Sequence, residues 1–285
     1  FGGQRNGVFA RRAAPVQVNY LGFPGTLGAS FMDYIVADQH VLPADHRRFY
    51  TEKVAWLPHC YQPNDDRRAI AAHAPTRDDC GLPRDGFVFC CFNNAYKITP
   101  AVFDGWMNIL TAVEASVLWL LDDSEAAVGN LRRAAEARGV DPARLVFAKR
   151  LPPAEHLARH RCADLFLDTL PYNAHTTASD ALWAGLPLLT CEGTTFAGRV
   201  AASLLHALGL PELICRNRAE FEQRALTLAR APLQLAALRE KLEQNRRSAP
   251  LFDTARSARD LETAFRMMHA RRLAGLAPQH VTVPS

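Results

Sequence analysis

The sequence predicts an α/β protein built on a parallel, doubly wound sheet with helices on both faces. Short apolar strands and amphipathic helices alternate from Gly86 to Arg230. The strands are continuous apolar runs, which is typical of strands that a parallel sheet buries on both faces. Polar turns follow several of these strands, and sheets of this kind bind ligands beyond the carboxyl ends of their strands.

The segment that ends near residue 83 is predicted to form a separate, smaller part of the protein. Its candidate strands are residues 15–21, 31–37 and 54–57. The loop GFPGTLGA between the first two contains three glycines and a proline, which indicates tight turns. Residues 62–85 are rich in Pro, Asp, Arg and Ala, with weak periodicity, and are predicted to connect two domains.

The regular region begins at Gly86. Its candidate strands are residues 87–92, 116–121, 145–148, 164–167, 188–191 and 213–215, and its candidate helices are residues 100–115, 125–138, 153–161, 177–185, 198–208 and 218–230. The chain after Ala231 is predicted to be mainly helical, with a frayed tail from Leu276. We therefore predict domains at residues 1–83, 84–230 and 231–285.

Composition excludes several classes of protein. The chain has 285 residues, 48% of them hydrophobic, and a net charge of only +4. Its basic residues are dispersed, which argues against nucleic-acid binding, and no apolar run is long enough to span a membrane. The seven cysteines are scattered without a CxxC pair, which favours a reduced, cytoplasmic protein and argues against a metal site.

The most informative stretch is DTLPYNAHTTASDALWAGLP, residues 168–187. A strand, a turn of small residues, a His-Thr-Thr sequence and a helix follow one another. The hydroxyl and N–H groups of residues 175–177 thus lie at a helix N-terminus, which favours anions. Asp180, one turn further on, could accept from ribose hydroxyls. The pattern predicts a nucleoside diphosphate site, and the alternative is an ordinary Thr-capped helix.

The stretch FNNAYKITP, residues 92–100, lies after the first strand of the regular region. Asn94 and Lys97 would face the same crevice as the His-Thr-Thr turn, and a lysine there could neutralise a diphosphate leaving group. The alternative is a solvated lysine at a helix start. Neither a GxxxxGK[ST] motif nor a GxGxxG motif after that strand is present, so neither a P-loop nor a standard dinucleotide site is predicted.

The stretch LPPAEHLARH, residues 151–160, lies between another strand and its helix. His156 and Arg159 are three residues apart and share a helix face. A histidine ring could stack on a base, and a guanidinium could bond its carbonyl, although a lone surface histidine usually has no such role. No nucleophile or paired carboxylate stands out, so covalent catalysis is not predicted.

Together these stretches resemble the C-terminal catalytic region of bacterial O-linked N-acetylglucosamine transferases. Further matching stretches are PVQVNYLGFPGTLGASFMDYIVAD, SVLWLLDD, GRVAASLL and APLFDTARSARDLE, in the family's order over nearly the whole chain. The resemblance implies a GT-B fold with two Rossmann-like domains, of which the first is present only in part. It also implies inverting, metal-independent transfer from UDP-N-acetylglucosamine (UDP-GlcNAc) to Ser or Thr of a protein, without a cofactor.

The resemblance implies a role for each candidate residue. Lys97 would contact the diphosphate and stabilise the departing UDP, with Asn94 beside it where the family often has glutamine. His156 would stack on uracil next to Arg159, and Leu151 would offer backbone groups to the base. The diphosphate would also be bound by His175, Thr176 and Thr177, and the ribose by Asp180. The N-acetylglucosamine would contact Leu21, Gly22 and Pro24.

Other functions remain open from the sequence. The alternatives are a non-catalytic nucleotide-sugar-binding module, or a GT-B transferase with another donor or a small-molecule acceptor. The resemblance implies acceptor proteins presented by an upstream repeat region, and no nucleic-acid or membrane partner. Because the chain opens on Phe1 and the family's acceptor-side histidines lie upstream, we expect it to be incomplete for catalysis.

Overall fold

The computed structural model describes residues 5–285, which form two compact units. The first, here called the small unit, comprises residues 5–66, 195–197 and 250–285. The second, the large unit, comprises Arg67–Thr194 and Gly198–Ala249. Residues 1–4 of the first predicted domain lie outside the described residues.

The strands within residues 5–285 are short and all parallel. In chain order they are β1 Val18–Asn19, β2 Tyr34–Asp38, β3 Lys53–Leu57, β4 Phe87–Cys91, β5 Ser116–Leu121, β6 Leu145–Ala148, β7 Leu165–Leu167, β8 Leu188–Cys191, β9 Ile214–Cys215 and β10 Val281–Thr282. The helices of the same residues are α1 Gly7–Ala10, α2 Pro100–Ala112, α3 Glu125–Glu136, α4 Pro153–Arg159, α5 Thr176–Trp183, α6 Val200–Ala207, α7 Arg218–Arg230, α8 Pro232–Asn245 and α9 Thr254–Leu273.

The large unit has one six-stranded sheet with the order β6-β5-β4-β7-β8-β9. The chain winds outward in one direction from β4 to β6 and then returns to add β7, β8 and β9 on the other side. The direction of winding therefore reverses between β4 and β7. Loops that leave two such strands at their carboxyl ends diverge, and the crevice between them is the usual ligand site of this topology.

Local chemistry explains where several helices of the large unit begin. Thr99, Ser124 and Asn217 each accept a hydrogen bond from a backbone N–H in the first turn of α2, α3 and α7. Pro100 occupies the first position of α2, where no N–H is needed. At the other end of α5, Gly185 has a φ of 83°, which ends the helix.

The small unit has a four-stranded sheet with the order β1-β2-β3-β10, on which α9 packs. Ala264 and Met268 of α9 are buried against a core that includes Tyr34, Val36 and Ala55. The predicted strand 15–21 is reduced to the two residues of β1. It starts late because the Gln17 N–H donates to the Asp33 side chain (2.8 Å), and it ends early because Leu21 has a φ of 59°.

The prediction of a frayed tail from Leu276 was wrong. Val281 and Thr282 form β10, which lies beside Ala55 and Trp56 of β3. The Nδ1 atom of His280 accepts a hydrogen bond from Val54 N (3.0 Å), which fixes the entry into the strand.

The predicted domain boundaries also differ from the units that the structure forms. Residues 67–83 pack within the large unit, where the Arg77 guanidinium donates to Asp164 (2.7 Å). Helix α8 belongs there too, since Arg239 donates to Ala163 O (2.8 Å) and Asn245 to Leu208 O (2.8 Å). Residues 250–285 belong to the small unit, so the predicted C-terminal helical domain is divided between the two.

All seven cysteines lie within residues 5–285 and carry thiols rather than disulfides, and six of them are buried. Within residues 5–285, no helix combines the length and the apolar composition that crossing a membrane requires.

Gly86 is a position where a side chain should not be tolerated. Its φ is 97°, and an added Cβ atom would lie 2.4 Å from the carbonyl oxygen of Ala115, because β4 starts by donating from Phe87 N to that same oxygen. We expect Gly86→Ala to lower the free energy of unfolding by about 2–4 kcal/mol, from strain and clash together.

Gly139→Ala is the matched control, because Gly139 has a φ of 73° but open space around it. Strain alone should lower its stability by about 1 kcal/mol. Urea unfolding of both variants measures the difference, and equal losses would show that the Ala115 carbonyl does not constrain residue 86.

Candidate functional site

The three polar segments singled out in the sequence meet at one edge of the large unit. They follow β4, β6 and β7, at the carboxyl ends of those strands, and include the point where the winding reverses. A cavity of about 320 Å³ opens there. Its lining residues are Arg68, Phe92, Asn94, Leu121, Arg150, Leu151, Pro153, His156, Arg159, Thr177 and Asp180.

Lys97 ends a short 3₁₀ turn, Ala95–Lys97, that follows β4. Its ammonium group donates to the carbonyl oxygen of Asn173 (2.8 Å) and lies 4.0 Å from the centre of the Tyr172 ring. Burial lowers the pKa of Lys97, and the nearby Asp168 carboxylate opposes that effect. Lys97 is therefore not a solvated lysine at a helix start but a partly desolvated cation held in a fixed place.

The loop that holds Lys97 is organised around the buried carboxylate of Asp168. One oxygen accepts from the N–H groups of Thr169 (2.7 Å) and Ala174 (2.6 Å), and the other accepts from the Thr190 hydroxyl (2.6 Å). Burial raises the pKa of Asp168 to about 6, although these hydrogen bonds and Lys97 act in the opposite direction. Sequence reasoning placed Asp168 at a strand end but gave it no role.

Asn93 connects this loop to α5. Its amide nitrogen donates to the Thr169 hydroxyl (2.9 Å), and its amide oxygen accepts from the Thr177 hydroxyl. The residue before α5, His175, makes no side-chain cap, so the ordinary Thr-capped helix is not what forms. The first N–H groups of α5, which include those of Thr176 and Thr177, have no acceptor within the helix and are suited to an anion.

His156 and Arg159 lie on α4 in an aromatic cluster. The His156 ring lies 5.4 Å from the ring of Phe92 and 4.8 Å from that of His160, centre to centre. Burial, together with the positive charges of three nearby arginines (Arg159, Arg68 and Arg150), lowers the pKa of His156 to about 4, so the ring is neutral at neutral pH. A neutral ring suits stacking on a base.

Arg159 is only 2% exposed and lies over the Phe92 ring, with its Cζ atom 4.5 Å from the ring centre. Its Nη1 donates to the carbonyl oxygen of Lys149. Its Nε and Nη2 atoms are buried and have no hydrogen-bond partner among the protein groups.

Asp180 is 7% exposed and sits in the same cavity. One of its oxygens pairs with Arg68, and the other lies 3.9 Å from Nε2 of His156. Sequence reasoning missed Arg68 because it lies 112 positions away in the connecting segment. Leu151 and Asn94 also line the cavity, and Asn94 lies 3.4 Å from the guanidinium of Arg150.

The predicted sugar-contacting residues Leu21, Gly22 and Pro24 belong to the small unit. They lie in the loop after β1, where Gly22 N donates to Tyr20 O (2.7 Å). The loop is fixed by the buried Glu52 carboxylate, which accepts from the Thr26 hydroxyl (2.5 Å) and Leu27 N (2.8 Å). Leu21 is 46% exposed, so its side chain is free to contact a ligand.

The large-unit site thus combines donors for an anion, a neutral aromatic surface and a buried carboxylate. This combination fits a nucleoside diphosphate, in which charge, base and ribose diol are arranged in series. Across residues 5–285 there is no cluster of three or more His, Cys, Asp or Glu side chains that could hold a metal ion.

Comparison with known proteins agrees with this chemistry. The sequence matches the model of glycosyl transferase family 41 over residues 1–74 and 68–261. The chain belongs to glycosyl transferase family 41. It is 42% identical to the probable UDP-N-acetylglucosamine–peptide N-acetylglucosaminyltransferase SEC of Arabidopsis thaliana, over 99% of the chain and 29% of that protein.

A second relative of this family 41 chain is the UDP-N-acetylglucosamine–peptide N-acetylglucosaminyltransferase of Caenorhabditis elegans, 29% identical over 98% of the chain and 34% of that protein. The chain thus spans about a third of the length of these relatives. The alignment of the chain with the C. elegans protein extends over 391 positions, which exceeds the 285 residues of the chain. The C. elegans protein therefore carries residues within the aligned region that the chain lacks.

Solved structures are also similar to this chain, including one from Thermobaculum terrenum and one from Anabaena. A lysine-to-methionine mutant of Thermobaculum terrenum O-GlcNAc transferase matches with a TM-score of 0.84 and 40% identity, over 93% of the chain and 51% of that protein. Anabaena HepE in complex with UDP and glucose matches in fold, with a TM-score of 0.59 and 13% identity over 86% of the chain and 64% of that protein. The predicted α/β fold of GT-B type is confirmed.

The buried histidine behind the cavity should make stability depend on pH. Burial lowers the pKa of His160 to about 3, whereas an exposed histidine titrates near 6.5. Below pH 6.5 the unfolded chain therefore binds a proton that the folded chain does not. Stability that is present at pH 7.5 should fall by roughly 1–2 kcal/mol at pH 5 through this residue.

His160→Phe keeps a ring against Phe92 and removes the titrating group. Urea unfolding at pH 7.5 and 5.0 should show a smaller loss on acidification for the variant than for the wild type. A difference in stability between the two proteins that is the same at both pH values does not affect the comparison. An equal loss of stability on acidification in both proteins would show that His160 does not contribute to the pH dependence.

Proposed function

We propose that the protein is a glycosyltransferase that transfers N-acetylglucosamine from UDP-GlcNAc to Ser or Thr hydroxyls of proteins, with inversion at the sugar carbon. The observation that carries this proposal is that Lys97 and the N-terminus of α5 follow β4 and β7 at the switch point of one sheet, where Thr177, His156 and Asp180 line one cavity. The relative with 42% identity is named a probable UDP-N-acetylglucosamine–peptide N-acetylglucosaminyltransferase, and the one with 40% identity is an O-GlcNAc transferase. These names support the proposed donor and the proposed protein acceptor.

The proposed roles follow from the chemistry of each group. Lys97 balances the charge that develops on the β-phosphate as UDP leaves, in a setting that is partly desolvated and held by Asn173. The N–H groups at the start of α5 and the His175, Thr176 and Thr177 segment bind the diphosphate. This arrangement supplies the positive charge without a metal or a cofactor.

The uridine would occupy the cavity of about 320 Å³. His156 stacks on uracil, Arg159 beside it bonds a base carbonyl, and Leu151 offers backbone groups. Asp180 accepts from the ribose hydroxyls, and Asn94 lies near the diphosphate. On the small unit, Leu21, Gly22 and Pro24 would contact the N-acetylglucosamine.

We also propose a setting for this activity. Acceptor proteins would be presented by an upstream repeat region, which would explain why the relatives are about three times as long as the chain. We propose a bacterial member of the family, as the matching sequence stretches imply; the Arabidopsis relative aligns over only 287 residues, so a short connection at residues 60–80 is shared with a plant protein. The seven free thiols support a cytoplasmic location.

Isothermal titration of the chain with UDP and with ADP tests the nucleotide assignment. Uracil is small enough to stack on His156 within the pocket closed by Phe92, so we expect UDP to bind at least about tenfold more tightly than ADP. Equal affinities, or no binding of UDP, would contradict the uridine assignment.

Lys97→Met should lower turnover far more than UDP affinity. The ammonium matters most as the leaving phosphate gains charge, and an interaction of this kind is typically worth about 3–4 kcal/mol in the transition state. Turnover is measured with radiolabelled UDP-GlcNAc and a protein acceptor in a form of the protein that transfers sugar, and affinity by titration of this chain.

Lys97→Arg is the matched variant for this measurement. A planar guanidinium cannot occupy the place between the Asn173 carbonyl and the Tyr172 ring that a compact ammonium fills, so we expect it to restore little turnover. Normal turnover in Lys97→Met would remove this residue from the mechanism.

A further inference from the structure

Asp180 occupies an unfavourable place for a carboxylate. It is 7% exposed, and burial raises its pKa, which favours the neutral form. A protonated carboxyl accepts hydrogen bonds less well than a carboxylate and keeps one proton to donate. If Asp180 is to accept from two ribose hydroxyls, something in the fold must keep it charged.

Arg68 supplies that charge. Its Nη1 atom donates to Oδ1 of Asp180, and this contact lowers the carboxyl pKa against the effect of burial. The side chain of Arg68 is 27% exposed and lines the cavity. The pair is therefore screened by solvent only in part.

Arg68 is held to the same helix as its partner. The carbonyl oxygen of Arg68 accepts a hydrogen bond from Nε1 of Trp183 (3.1 Å), and Trp183 and Asp180 are both on α5. Backbone and side chain of one residue thus contact one helix, one turn apart. This double attachment fixes the direction from which the guanidinium approaches Asp180.

The other charged or titratable groups around Asp180 play different parts. His156 lies 3.9 Å from Oδ2 and is neutral at neutral pH, with a pKa of about 4. Arg159 stacks on Phe92, and Arg150 pairs with Asp123 (3.0 Å). Oδ1 thus accepts from Arg68, which leaves Oδ2 as the oxygen that can accept from a ligand in the cavity that Asp180 lines.

We propose that Arg68 is a positioning residue for donor recognition, which holds Asp180 with Oδ2 as a charged acceptor for the ribose diol. Arg68 thereby makes the site selective for ribonucleotides over nucleotides whose sugar lacks the 2′ and 3′ hydroxyls. This inference rests on the proposed binding of UDP and extends it to a residue of the connecting segment. Arg68 acts through Asp180 and need not touch the donor itself.

The test compares UDP with 2′,3′-dideoxyuridine diphosphate by isothermal titration of the chain. Hydrogen bonds from two hydroxyls to a charged group should favour UDP by about tenfold or more in the wild type. In Arg68→Met this ratio should fall to about twofold or less, mainly because UDP binds more weakly. In an Asp180→Asn background, Arg68→Met should change the ratio no further.

Arg150→Met is the matched control. Arg150 lines the same cavity and carries the same charge, but it pairs with Asp123. Its loss should weaken both nucleotides alike and leave their ratio as in the wild type. An equal collapse of the ratio in Arg150→Met would show a general charge effect and overturn the role of Arg68.

The pH dependence gives a second measurement that a purely structural role would not change. Without Arg68 the Asp180 pKa rises further, so the carboxylate is protonated at a higher pH in Arg68→Met than in the wild type. On acidification, the ratio of UDP affinity to dideoxy nucleotide affinity should therefore fall at a higher pH in Arg68→Met than in the wild type. Both nucleotides carry the same diphosphate, so its own titration cancels in the ratio.

Arg68→Lys decides the matter if Arg68→Met fails to fold. A lysine keeps the positive charge, so we expect a ratio that falls at nearly the same pH as in the wild type but is smaller than in the wild type. An unchanged ratio and pH profile in the Arg68 variants would overturn this inference while leaving UDP binding intact. Absence of UDP binding by the wild type would instead refute the proposed function, and this inference with it.

Discussion

The buried carboxylate of Asp168 is the interaction on which the rest of the site depends. A charge in the interior must be surrounded by donors, and here these are two N–H groups of its own loop and the hydroxyl of Thr190. Because Asp168 accepts from the N–H groups of Thr169 and Ala174, residues 168–174 are held in one conformation. This conformation presents the Asn173 carbonyl to Lys97, and α5 starts directly after this loop.

A series of hydrogen bonds connects this loop to the residues around it. Asn173 donates back to Thr169 O (2.8 Å), and Asn93 joins Thr169 to Thr177. The cation and the helix N-terminus are therefore placed by one network, although they follow different strands. Because each group is held before a ligand arrives, little reorganisation is needed when negative charge develops.

Much of this could be predicted from local sequence, and the exceptions share a cause. The bounds of β5, β6, β8 and α7 agree with the prediction because apolar runs and an Asn cap define them locally. The two-residue strand β10 and the partner of Asp180 were missed, since each depends on residues more than a hundred positions away. Asp168 was visible at a strand end, but only the fold shows which donors surround it.

The course of the chain through the two units has a consequence for synthesis. The large unit is inserted into the sequence of the small unit, whose sheet includes β10 at residues 281–282. On a ribosome, the nearly continuous large unit can fold while the small unit still waits for its last strand. Contacts within the small unit therefore span more of the sequence, and until residues 281–282 are made the edge of β3 that pairs with β10 stays open to non-native strand pairing.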